Sequence, residues 1–183
     1  MKAEGGQSEL KLFLKQLHFD YEFPAKSEPS WKSHVDRWYQ LDAPAYGLVQ
    51  AYSIWKDQLP ILPAMILLAS PGASNKTDRQ FAKSGGISPA KFAHTLPNIR
   101  CSPLCQVMDW SGPVLSFHRD PHTLVLALRE AFELLSPELP SIWVLAGGRK
   151  GAEYRVDGFV ISQDSSNSAA YSISKRAPFS ALS

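Results

Sequence analysis

Apolar and polar residues alternate from Leu17 to Phe23, with Leu17, Phe19, Tyr21 and Phe23 set against His18, Asp20 and Glu22. A period of two puts one row of side chains on one face, so this stretch predicts a half-buried strand, starting as early as Leu10. Residues 1–9 are polar and glycine-containing and read as a frayed end. The period then lengthens. Trp31, Val35, Trp38 and Tyr39 predict a helix that Ser30 can cap, and Leu48, Tyr52 and Trp55 predict a second between Tyr46 and Leu59. Ala64–Ala69 is apolar at every position, the pattern of a strand that a parallel sheet buries on both faces, and Ser70-Pro71-Gly72 turns the chain. Residues 73–86 are polar and end in Gly85-Gly86, which predicts a short helix and a loop, and Ser88-Pro89 opens another short helix.

The most informative pattern runs from Gly112 to Gly148. Val114, Leu115 and Phe117 form an apolar strand, and a polar turn follows, ending in Asp120-Pro121, a good cap and a good first helical residue. Leu124, Ala127, Leu128, Ala131, Leu134 and Leu135 then keep helical spacing, and Leu126 and Phe132 widen the apolar surface, so a helix from His122 to Leu135 with little surface facing water is expected. Ile142–Ala146 is a strand closed by a Gly147-Gly148 turn. Strand, turn, helix and strand make a βαβ unit, which predicts an α/β fold. Tyr154–Ser162 reads as a further strand with Gly158 as a bulge, and Tyr171–Lys175 as a last one after a polar loop.

Composition narrows the function. A chain of 183 residues with 44% hydrophobic content fits a single domain, 1–183, with a real core. The net charge of +2 and pI near 8.5 come from scattered Lys and Arg, with no basic run interleaved with aromatics, which argues against nucleic acid as a partner. Cys101 and Cys105 fit neither a disulfide framework nor a zinc knuckle, no signal peptide opens the chain, and no apolar run is long enough to span a bilayer. A soluble cytoplasmic protein is the expectation.

Three stretches carry possible chemistry. His118-Arg119-Asp120-Pro121-His122 looks like a kinase catalytic loop, but the Asn required five residues after the Asp is Val125 and no Gly-rich loop precedes it. His118, Asp120 and His122 could supply imidazole and carboxylate ligands to a metal-dependent hydrolase or acyl transferase, yet they straddle a strand end and a helix start, and a polar capping turn is the simpler reading. Cys101 and Cys105 stand one helical turn apart and read as small buried hydrophobes rather than ligands. Gly147-Gly148-Arg149-Lys150-Gly151 could cradle a phosphate but lacks the Gly-Lys-Ser/Thr ending of a P-loop. No metal and no cofactor is called for. The five tryptophans, at 31, 38, 55, 110 and 143, read as core or interface.

The order Ile87-Ser88-Pro89, Thr95-Leu96-Pro97-Asn98, Gly112-Pro113 and Ala146-Gly147-Gly148 resembles the middle of β-ketoacyl synthases, the condensing enzymes of the thiolase-like fold. The resemblance spans about sixty residues, and the front of the chain matches only loosely. It implies half of a thiolase-like fold: a mixed, mostly parallel sheet with helices on both faces. In that family the active cysteine stands nine residues after the Gly of Gly-Pro, at a helix N-terminus that lowers its thiol pKa. Here that position is Pro121, so no catalytic residue is implied, and no histidine follows His122 to supply the family's second-half histidines. Such a chain resembles a non-catalytic chain-length-factor subunit, of the degenerate kind found in aryl polyene assembly. The resemblance implies a heterodimer with an active β-ketoacyl synthase, contact with acyl carrier protein through that complex, Val114, Leu115, Ser116, Phe117 and His118 as the strand that pairs with the partner, and Lys91, Thr95 and Leu96 at the partner's acyl tunnel.

Overall fold

The alternation near the start of the chain forms strand β1, Leu12–Tyr21, in a computed structural model that describes residues 12–59, 61–70, 79, 81–83, 85, 96–118, 122–150, 153–163 and 171–173. Leu17, Phe19 and Tyr21 turn to one face of the sheet and Leu14 to the other. The uniformly apolar run forms β2, Met65–Ala69, whose side chains split evenly: Ile66 and Leu68 enter one core, Leu67 and Ala69 the other, and all four are at most 2% exposed. A strand covered on both faces has no position for a polar side chain, which is why its sequence shows no alternation.

The other strands are β3 (Val114–Phe117), β4 (Ser141–Lys150), β5 (Glu153–Ser162) and β6 (Tyr171–Ile173). They assemble in the order β3-β2-β4-β5-β1-β6. The sheet is mixed as expected, but its parallel character is confined to the pairings of β2 with β3 and with β4; β4 with β5, β5 with β1 and β1 with β6 are antiparallel. The reason lies at Gly147-Gly148. These residues do not close β4 in a turn. They continue it, paired with Val156 and Arg155, so β4 and β5 run as a long antiparallel pair.

Helix α1, Ala43–Trp55, and helix α2, Ser102–Met108, cover one face. Asp42 caps α1, its carboxylate accepting from the Ala45 N–H at 2.9 Å, with Pro44 in the first turn where its missing N–H is harmless. The helix expected around Trp31 to Tyr39 is instead two 3-10 turns, Lys32–His34 and Trp38–Gln40. Arg37, between them, has φ of 57°, a left-handed conformation that no α-helix can run through. Trp31 and Val35 are still buried, so the apolar positions mark core without marking helix. Helix α3, Thr123–Leu134, covers the opposite face through Thr123, Ala127, Leu128, Ala131 and Phe132. It begins with His122 in the cap position and no side-chain bond from that residue, while Asp120, the expected cap, lies outside the described residues. Nor is it buried all round: Val125, Arg129, Glu130 and Glu133 are exposed, because among the described residues the sheet alone packs on it.

Gly158 is not a bulge. It sits in regular register between Leu17 and Leu145, and a Cβ built on it would stand 2.7 Å from the Trp55 ring. The missing side chain is what lets the indole of α1 come this close to β5. Gly47 serves Tyr21 in the same way: the phenol lies where a Cβ would be, and its hydroxyl donates to the Ala43 carbonyl at 2.6 Å. Gly158→Ala is expected to destabilise the fold by about 1–3 kcal/mol through overpacking. Trp55→Leu in the same chain should recover part of that loss, measured as denaturation midpoints at constant slope.

Candidate partner-facing edge

In the described sheet β3 is an outer strand. It pairs with β2, Val114 to Phe117 opposite Ile66 to Ala69, and among the described residues no strand pairs with its other side. The backbone bonds fix which groups face which way. Ile66 N–H donates to the Pro113 carbonyl and Ser70 N–H to the Phe117 carbonyl, each at 3.0 Å. Alternate residues of a strand address opposite neighbours, so Pro113, Leu115 and Phe117 address β2, while the N–H and C=O of Val114 and Ser116 point to the open side. Three further features mark this strip. Leu115 is 44% exposed although it lies within the strand rather than at its end. The Ser116 hydroxyl is buried and has no hydrogen-bond partner among the described residues. His118, directly after the strand, is exposed.

A 3-10 turn, Pro97–Cys101, packs against β3 and leads into α2. Leu96 precedes it and is 44% exposed, its carbonyl accepting from the Ile99 N–H at 3.1 Å. The structure therefore places Leu96 and the β3 strip in neighbouring elements. Lys91, Thr95, Arg119, Asp120 and Pro121 lie outside the described residues, as do the short helix expected at Ser88-Pro89 and most of residues 73–86. His118 and His122 are both described and exposed, but Asp120 between them is not, and the remaining described residues contain no group of three or more His, Cys, Asp or Glu able to hold a metal ion.

Behind this edge lies a polar network that sequence reasoning did not find. Arg100 is 6% exposed. Its Nε donates to Asp42 Oδ2 at 3.0 Å and its Nη1 to Ser70 Oγ at 2.8 Å, while Asp42 Oδ1 caps α1. Asp42, Ser70 and Arg100 come from the start of α1, the end of β2 and the 3-10 turn. A buried guanidinium needs such partners, because an unpaired buried charge is strongly destabilising.

Next to it, Cys101 is completely buried and Cys105 half-buried, both as free thiols. Burial pushes both thiols above the ordinary cysteine range; for Cys101 the neighbouring Cys105 adds to the effect and Arg100 opposes it. Neither is poised as a nucleophile, since that role needs thiolate. The Gly147-Gly148 stretch is extended strand paired with β5, so it does not form the glycine turn that a phosphate cradle of this kind needs.

No family model matches the sequence, and no curated protein matches it. Among solved structures, the fold is similar to a chain of a ketosynthase (ApeO) in complex with its chain length factor (ApeC) from Xenorhabdus doucetiae. The TM-score is 0.64 at 13% identity, over 85% of this chain and 80% of the other. At that identity the likeness establishes the fold: a mixed α/β sheet with helices on both faces, as in a thiolase-like half. Among the described residues no helix is long and apolar enough to cross a membrane.

Two outcomes test the thiol environment. Iodoacetamide at pH 8 should label Cys105 in the folded chain well before Cys101, whose reaction requires opening. Because the folded-state pKa of Cys101 is raised, its contribution to stability is full below the ordinary cysteine range and is lost as pH rises above it. Cys101→Ala should flatten the alkaline fall in denaturation midpoint.

Proposed function

We propose that this chain, residues 1–183 acting as one domain, is a non-catalytic, chain-length-factor-like subunit that pairs with an active β-ketoacyl-ACP synthase and shapes its acyl tunnel. The observation that carries the reading is the open side of β3. Backbone donors and acceptors on an exposed strand are a template for a strand from another chain, and Leu115 and the Ser116 hydroxyl lie on the same strip. The likeness in fold to a ketosynthase and chain-length-factor complex supports the choice of partner. Pro121 at the nucleophile position supports the non-catalytic role, because a proline ring carries no attacking atom.

In this reading Val114, Leu115, Ser116, Phe117 and His118 form the pairing strand, and Lys91, Thr95 and Leu96 face the partner's tunnel. The acyl chain would be limited by excluded volume: forcing extra methylenes into a filled cavity costs on the order of 1–3 kcal/mol, enough to stop elongation at a preferred length. Acyl carrier protein would meet the pair through the catalytic subunit, no cofactor is required, and the work would be done in the cytoplasm on polyene, polyketide or fatty-acid-type chains.

The orientation of the β3 amides gives a sharp test. Ser116→Pro removes an N–H that faces outward, so the isolated chain should keep its fold. Binding to a partner ketosynthase should weaken at least about tenfold, from one lost hydrogen bond and the ring's bulk. Leu115→Pro removes an N–H that addresses β2 and should destabilise the chain itself. Equal binding by wild type and Ser116→Pro in a pull-down or titration would refute strand pairing. Leu96→Ala should shift the product length distribution while condensation continues; an unchanged distribution would refute the tunnel assignment.

A further inference from the structure

We infer that Arg100 is a positioning residue for the partner-facing edge: its guanidinium fastens the turn that follows Leu96 to the end of β2 and the start of α1. This rests on the reading that Leu96 and β3 face a partner, but the fastening itself is a property of this chain alone.

The geometry behind it is a continuous run of polar contacts. The β3 carbonyl of Phe117 accepts from the Ser70 N–H at 3.0 Å; the Ser70 hydroxyl accepts from Arg100 Nη1 at 2.8 Å; Arg100 Nε donates to Asp42 at 3.0 Å; and the other Asp42 oxygen accepts from Ala45 N–H at 2.9 Å. Ser70 is where the chain leaves the sheet, and Arg100 lies in the turn by which it returns. One side chain thus ties the point of departure and the point of return to the same helix cap. The Arg100 side chain is 7% exposed and that of Asp42 15%, so little water is available to take over either role. The turn packs on β3 and carries Leu96 at its start, so a shift of the turn moves Leu96 relative to the open strip.

Arginine suits this place better than lysine. A planar fork sends two donors in fixed directions, here to a carboxylate and to a hydroxyl, whereas an ammonium offers its three donors from one rotatable point on a flexible stem and fixes neither direction. A purely apolar turn could be equally stable, as replacements of buried ion pairs by hydrophobic residues show, but it would not fix one register of the turn on the helix cap. What distinguishes Arg100 from ordinary core is therefore local order in the turn.

Cys101, the next residue, reports on that order because it is fully buried at the end of the same turn. The experiment uses the full chain with Cys105→Ser, so that only Cys101 is labelled, and follows its reaction with an aromatic disulfide under native conditions. Arg100→Lys and Ser70→Ala should each raise the labelling rate at least tenfold. Leu128→Ala, on the opposite face of the sheet, serves as the comparison, with denaturant added to the other variants until global stability matches. It should leave Cys101 labelling far slower than in Ser70→Ala. Equal rates in all variants at matched stability, or no change in Ser70→Ala and Arg100→Lys, would overturn the inference. A second arm titrates the ketosynthase: Ser70→Ala, which keeps every β3 group, should bind at least threefold more weakly than wild type, and unchanged affinity would overturn the link between clamp and edge. If wild type itself fails to bind, the functional reading falls while the labelling result still decides the role of Arg100.

Discussion

Burial of Met65–Ala69 on both faces is the constraint from which the rest of the architecture follows. A strand with Ile66 and Leu68 on one side and Leu67 and Ala69 on the other needs a layer over each face and a strand along each edge. Helices α1 and α2 provide one layer and α3 the other. The crossover through α3 brings β4 back parallel to β2 on the side away from β3. That leaves β3 outermost among the described strands. Its inner backbone groups are used by β2 and its outer ones have no strand partner among the described residues, a direct result of how the crossover places the strands.

The same layering separates what the molecule holds rigid from what it presents. Around α1, aromatic and aliphatic side chains meet glycines that make room for them, Trp55 on Gly158 and Tyr21 on Gly47. The buried Arg100–Asp42 pair adds a polar tie at the end of the sheet where β2 and β3 finish. By contrast Leu96, Leu115 and Val125 are large apolar side chains left 44–51% exposed. Single exposed apolar residues are ordinary, but a strand residue such as Leu115, on an edge with open amides, combines apolar and hydrogen-bonding demand in one place.

Much of this was legible in the sequence, and the failures have physical causes. The uniform run of β2, the alternation of β1 and the helical stripe of α3 are period signals set by burial, and burial dominates the fold. Trp31 to Tyr39 shows the limit of such signals: the spacing marks buried positions, but a left-handed Arg37 makes them two short turns. Gly147-Gly148 misled because paired glycines favour turns, whereas here the antiparallel β5 holds them extended and Ala146 leads straight on. Arg100 was invisible because its partners are 30 and 58 residues away, and nothing in local spacing announces a contact that only the fold creates. The resemblance pointed to the fold class, and the strand it drew attention to, Val114–Phe117, is an outer strand of the described sheet.

The most direct measurement is residue-resolved amide hydrogen exchange of the β3 strip, by NMR, with and without the cognate ketosynthase. Val114 and Ser116 amides, which face outward, should exchange freely in the isolated chain and become at least tenfold slower in the complex, while Leu115 and Phe117, already bonded to β2, change little. Binding that protects other surfaces and leaves Val114 and Ser116 exchanging as before would contradict the account, as would slow exchange of these two amides in the chain alone.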